Sequence, residues 1–273
     1  MPIATINGID LYYEVEGEGP WVAFAHGGEG LHLGWCKQVV GLRKRFRCLT
    51  YDARGFGLSG GGWGVPEDTA ADDLMALLDH LGIERAFLVG QSMGGIAVSG
   101  VAQRMPERVR GLVMADTPFG FQTAALSQWA VQMLDKIPAG FNVFEHLFAP
   151  GFAQAEPELH YLYSGICRLN ATRPLPKNTG DYLDGYVRMR EAEPVDYSRF
   201  PVPSLFIVGA QDALTPPWLI EATARAVGGS RLLVIPSAGH SAFLERSEIY
   251  NKAIVDFFDV GGHADVISRR KTL

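Results

Sequence analysis

Short apolar runs alternate with helix-patterned segments along this chain, and that alternation limits the possible folds more than any other feature. The runs at 47–51, 86–90, 111–115, 205–208 and 232–235 are four or five residues long, the length of buried strands rather than of helices. Between two of them, Leu74, Leu77, Leu78 and Leu81 repeat at helical spacing across 72–81. Further helices are expected at 94–104, 217–227 and 247–258, the last using Ile249, Ile254, Phe257 and Phe258 as its apolar contacts. Residues 9–15 and 21–26 flank the turn EGEGP and read as an opening hairpin. Strands separated by helices predict an α/β fold, with a mostly parallel central sheet flanked by helices. Ligands of such sheets bind beyond the carboxyl ends of the strands.

The rhythm breaks across 118–200, which holds Phe119, Phe121, Trp129, Phe141, Phe144, Phe148, Phe152, Tyr161 and Tyr163, along with Pro138, Pro150, Pro157, Pro174 and Pro176. The pattern there is helical and irregular, and the strand–helix alternation resumes at Pro203. The organisation expected is therefore a core made of 1–117 and 201–260, a helical cap inserted as 118–200, and a C-terminal tail, 261–273.

Composition narrows the partners. A formal net charge of -6 argues against nucleic acid and anionic membranes, which attract basic surfaces. Three widely spaced cysteines, Cys36, Cys48 and Cys167, form neither a disulfide framework nor a zinc-type spacing. The start MPIATINGIDLYYE lacks a basic region followed by an apolar run, and no apolar stretch is long enough to span a bilayer. These features predict a cytoplasmic protein acting on a small molecule, with no nucleic acid or membrane partner and with room for a homo-oligomer.

The sharpest chemical signal is LVGQSMGG at 88–95. A buried strand ends at a serine between glycines, and a helix pattern follows. Gly90 and Gly94 leave space for a tight turn that projects the Ser92 hydroxyl, though glycine–serine turns also occur without chemistry. A serine nucleophile needs a base, and the base needs an orienting acid. His240, in PSAGHSAFLE, and Asp212, in FIVGAQDALTP, each follow a strand, giving the chain order Ser, Asp, His. Asp116, at the end of GLVMAD, is the rival acid. Attack on a carbonyl also requires N–H donors for the oxyanion. Those of Gly28, in FAHGGEG, and of Met93 are the candidates. GFGLSG at 55–60 fits a dinucleotide fingerprint but continues as GGWGVPE with no helix pattern. No paired histidines stand at metal-binding helical spacing, so no metal is expected. In the expected cap, Trp129 and Phe144 are candidates for lining an apolar cavity or for simple packing. Arg168 and Arg188 are candidates for gripping a substrate carboxylate or for a solvated surface.

His26-Gly27, YDARGFGLSG, GQSMGG, GAQDALTP and AGHSAFLE together resemble the α/β-hydrolase superfamily, over the two flanking segments but not over 118–200. The resemblance implies an eight-stranded sheet, a helical cap, a serine triad of Ser92, Asp212 and His240, and no cofactor. It also implies that Asp52 and Arg54 brace the loop before Gly55. The activity it suggests is hydrolysis of a small, largely apolar carboxylic ester or lactone. Two alternatives share the same fold: cleavage of a carbon–carbon bond in a vinylogous diketone, and a slow-turnover ligand receptor. Ser241, where such carbon–carbon hydrolases often carry tryptophan, weakens the first. A serine at 92 argues against the epoxide hydrolase and dehalogenase branches, which attack with aspartate.

Overall fold

The computed structural model describes residues 2–62, 68–136, 143–170 and 180–260. The side chain of Phe144 and the 261–273 tail, both singled out from the sequence, lie outside the described residues.

Eight strands form one sheet: β1 (Ile3–Ile6), β2 (Ile9–Glu16), β3 (Trp21–Ala25), β4 (Arg47–Tyr51), β5 (Ala86–Gln91), β6 (Val109–Ala115), β7 (Ser204–Gly209) and β8 (Arg231–Ile235). Their spatial order is β1-β2-β4-β3-β5-β6-β7-β8. From β4 to β8 every pairing is parallel, while β1 and β2 join antiparallel at one edge. The result is the mostly parallel, eight-stranded sheet with flanking helices that was expected.

The helices are α1 (Cys36–Leu42), α2 (Asp68–His80), α3 (Gly94–Arg104), α4 (Ala124–Lys136), α5 (Phe152–Ala155), α6 (Pro157–Asn170), α7 (Gly180–Glu191), α8 (Pro217–Ala226), α9 (Ala242–Glu245) and α10 (Ser247–Asp259). The central strands read as continuous apolar runs because both faces are covered. Alternate residues go to opposite sides. Ala23, Leu88, Phe206 and Val208 pack with Leu74, Leu77 and Leu78 of α2, Val98 and Val101 of α3, and Ile220 of α8. Val22, Phe24, Val89, Leu205 and Ile207 pack with Leu42 of α1 and with Tyr250, Ile254, Phe257 and Phe258 of α10. Each fully buried Leu or Phe contributes about 1.5–3 kcal/mol, so the two layers hold the sheet as a rigid plate.

Two expectations need correction. Residues 9–15 and 21–26 do not form a hairpin: β4 lies between β2 and β3. The chain leaves β2 through Gly17 and Gly19, both at positive φ, and the parallel β3–β4 pairing takes the position that a hairpin would have used. In α10, Ile254, Phe257 and Phe258 are buried as expected, but Ile249 is exposed and its neighbour Tyr250 is fully buried, because Tyr250 lies at i−4, i−7 and i−8 to those three and so shares their face.

Between β6 and β7 the described residues form helices and a short 3-10 turn but no strand. Part of this segment packs on the core: Leu126, Trp129, Ala130 and Met133 of α4 cluster with Leu219 of α8.

Candidate active site

The register of the parallel strands puts several chain turns side by side. Ala25 lies opposite Gly90, Gln91 opposite Ala115, Ala115 opposite Ile207, and Gly209 opposite Ile235. The loops that follow β3, β5, β7 and β8 therefore open at one edge of the sheet, and they carry Gly28, Ser92, Asp212 and His240.

Ser92 occupies a left-handed backbone conformation, φ 49°, between β5 and α3. A non-glycine residue at positive φ costs of order 1–3 kcal/mol and persists only where its surroundings force it. The surroundings here are glycines under compression. A Cβ on Gly94 would fall 2.6 Å from the Ala25 carbonyl carbon and 2.7 Å from the His26 oxygen. A Cβ on Gly90 would fall 2.6 Å from the Gly94 oxygen. Close approach of β5, α3 and the end of β3 thus requires the glycines, and the serine between them turns outward, half-buried.

Asp212 and His240 are joined directly. His240 Nδ1 lies 2.9 Å from Asp212 Oδ2, with both residues buried. Donation of the Nδ1 proton to the carboxylate leaves Nε2 as the basic nitrogen. The other Asp212 oxygen accepts the N–H groups of Leu214 and Thr215 at 2.8 and 3.0 Å. The Thr215 hydroxyl reaches Asp212 Oδ2 at 2.8 Å and the Asp116 carbonyl at 2.8 Å, and lies 3.3 Å from His240 Nδ1. With one proton to share, it can serve only one of the two oxygens fully. Sequence reasoning passed over Thr215, although the stretch DALT has the local form of an aspartate-capped turn.

The rival acid is placed differently. Asp116 is fully buried, sits at φ 49°, and accepts the Gly209 N–H at 2.8 Å. Burial and then the negative charge of Asp212 raise its pKa well above the ordinary carboxylate range. The histidine pairs with Asp212 instead.

The Gln91 side-chain amide donates to the His240 carbonyl at 3.0 Å, tying the residue before Ser92 to the histidine loop. Among the described residues no hydrogen bond joins the Ser92 hydroxyl to the His240 ring; the tie between the two loops is the Gln91 amide.

On the far side of Ser92, the Gly27–Gly30 turn is closed by the Gly30 N–H on the Gly27 carbonyl at 3.0 Å. His26 braces it from below: Nδ1 lies 2.8 Å from the Gly27 carbonyl and Nε2 accepts the Ala53 N–H at 2.9 Å. Those two bonds fit the neutral ring, and burial lowers the His26 pKa in the same sense. Gly28 approaches Met93 closely enough that an added Cβ would lie 3.9 Å from its sulfur. Beside Gly28, the half-buried Glu29 carboxyl is raised to about 7 by burial, partly offset by the nearby His240.

The residues expected to brace the next loop do so. Asp52 accepts the N–H groups of His32 and Leu58, each at 2.8 Å, and lies 2.7 Å from His32 Nδ1. Burial works against its charge, but these bonds hold its pKa below the ordinary value. Arg54 pairs with Asp73 through two bonds of 2.7 and 2.8 Å.

The expected substrate contacts lie further out. Trp129 is buried in the α4–α8 cluster and donates its indole N–H to the Leu214 carbonyl at 3.0 Å, bracing the Asp212 loop. Arg168 and Arg188 are exposed, the former with its guanidinium 5.5 Å from the centre of the Tyr161 ring. Among the described residues no cluster of His, Cys, Asp or Glu could hold a metal ion, and no helix is long and apolar enough to cross a membrane.

Comparison with known proteins agrees with this architecture. The family model described as alpha/beta hydrolase fold matches residues 20–247. Haloalkane dehalogenase 2 of Mycobacterium tuberculosis is 27% identical over 263 residues, covering 91% of each chain. The solved structure of a thermophilic esterase from Thermogutta terrifontis is 26% identical with a TM-score of 0.75, covering 96% of this chain and 99% of that one. An enol-lactonase from Burkholderia xenovorans is 26% identical with a TM-score of 0.74, covering 94% of this chain and all of that one. With the family pattern spanning most of the sequence and the same sheet beneath it, this chain belongs to the α/β-hydrolase fold family.

Proposed function

We propose that the protein is a serine hydrolase that cleaves a small, largely apolar carboxylic ester or lactone through an acyl-enzyme on Ser92. One observation carries the reading: a serine held at positive φ on a strand-to-helix turn follows Gln91, whose amide bonds the carbonyl of His240, and His240 is paired with buried Asp212 at 2.9 Å. The resemblance to a solved esterase and to a solved enol-lactonase supports it.

In this mechanism His240 Nε2 takes the Ser92 proton as the hydroxyl oxygen attacks the substrate carbonyl. The contact between the two side chains forms as substrate binds, since apo distances at catalytic sites are often long. Asp212 holds the imidazole tautomer and stabilises the imidazolium. The N–H groups of Gly28 and Met93 receive the oxyanion, each worth on the order of 3 kcal/mol of transition-state stabilisation. His240 then gives its proton to the leaving alcohol oxygen and activates water to release the acid. For a lactone, the leaving oxygen stays tethered to the acyl group, and one open-chain hydroxy acid results. The segment between β6 and β7 acts as the cap that sets acyl and alcohol preference.

The test is covalent labelling by a fluorophosphonate, located by mass spectrometry, together with turnover of short aryl esters and lactones. An adduct on Ser92 and a rate abolished by Ser92→Ala are expected. An adduct on another residue, or a wild-type rate no greater than that of Ser92→Ala, overturns the reading.

A further inference from the structure

The last residue of α6, Asn170, is a buried amide with three backbone partners in two different loops. Its Nδ2 group donates to the carbonyls of Glu29 and Gly30, at 3.3 and 2.8 Å. Its Oδ1 accepts the Gly57 N–H at 3.1 Å. Two acceptors on one side and a donor on the other fix the orientation of the amide without ambiguity. No other residue type of this size supplies both functions.

The two carbonyls belong to the turn that presents the Gly28 N–H. His26 and the Gly30 N–H both hold the Gly27 carbonyl at the start of that turn. Asn170 holds its far half, so the peptide carrying the Gly28 N–H is pinned from both ends. The pin comes from a helix between β6 and β7, whereas the turn belongs to the sheet.

We propose that Asn170 is a positioning residue: from the inserted helical segment it fixes the direction of the Gly28 N–H, and so couples the placement of α6 to oxyanion stabilisation. The inference rests on the reading of Ser92 as nucleophile and Gly28 as oxyanion donor. Displacing a catalytic donor by about 1 Å can cost up to about a hundredfold in rate.

Two variants test it. Asn170→Asp keeps the shape and the acceptor for Gly57 but turns a carboxylate oxygen toward two carbonyls. Asn170→Ala removes all three bonds. Both are expected to lower kcat for an activated ester by about tenfold or more with KM nearly unchanged, and to slow fluorophosphonate labelling of Ser92 in proportion. The pH profile of kcat/KM should keep its shape in Asn170→Ala, which adds no titratable group and leaves His240 and Asp212 untouched. Wild-type kcat and labelling rates in either folded variant overturn the proposal, as does a change confined to KM. Thermal unfolding accompanies both variants. If one fails to fold, the other decides, and loss of the fold in both overturns a positioning role in favour of a purely structural one. A wild-type protein that is not labelled at Ser92 refutes the hydrolase reading itself, a different outcome from equal labelling of wild type and variants.

Discussion

Replacing Glu29 by glutamine should make the protein more stable in alkaline solution and leave it nearly unchanged in acid. The Glu29 carboxyl stands beside Gly28, and burial raises its pKa from 4.5 to about 7. The groups that face it electrostatically are His240 from the sheet side and Tyr163 and Cys167 from α6. A raised acid favours the protonated form in the folded state. Its contribution to stability is therefore complete below about pH 4.5, falls as pH rises toward 7, and is gone above that. The change from 4.5 to about 7 corresponds to about 3 kcal/mol, and the partial exposure of the side chain reduces this to about 2 kcal/mol. Glutamine keeps the shape and carries no charge at any pH. Urea unfolding of both proteins at a series of pH values gives the difference directly. Wild-type stability relative to Glu29→Gln should fall by about 2 kcal/mol between about pH 4.5 and about pH 8 and then stay level. A difference that is flat across that interval, or that grows in favour of wild type, would refute the reasoning.

Two further predictions follow from the same edge of the sheet. Gly94→Ala forces a methyl group into the backbone of Ala25 and His26, neither of which can swing aside, so it should cost about 2 kcal/mol or more in thermal unfolding and remove ester turnover. Thr215→Val keeps the volume but withdraws the hydroxyl from Asp212 Oδ2, and it should lower kcat by about tenfold with little change in KM, measured by steady-state turnover.

The sheet was readable in the sequence because buried parallel strands are continuous apolar runs, and each of the runs at 47–51, 86–90, 111–115, 205–208 and 232–235 lies in a strand. The approach of Asp212 to His240 was equally readable, since both follow such runs. Strand neighbours were not readable. The choice between pairing β2 with β3 and inserting β4 depends on contacts far apart along the chain, and β1, only four residues long, gave too little pattern to notice. In α10 one contact of four differs, Tyr250 in place of Ile249: both are apolar enough to be buried, and the face shared with Ile254, Phe257 and Phe258 selects Tyr250. Gln91, Thr215 and Asn170 are ordinary polar residues in the sequence. Their importance arises from backbone groups brought to them by distant segments, such as the 149 positions that separate Gln91 from His240.

Ser92 and Asp116 share the same unfavourable backbone twist at the ends of adjacent strands, and both would relax if replaced by glycine. A lineage under pressure only to stay folded would drift toward glycine at both places, while one retained for its chemistry would resist at 92. The composition of those two positions across descendants would then record whether turnover or durability had been under selection.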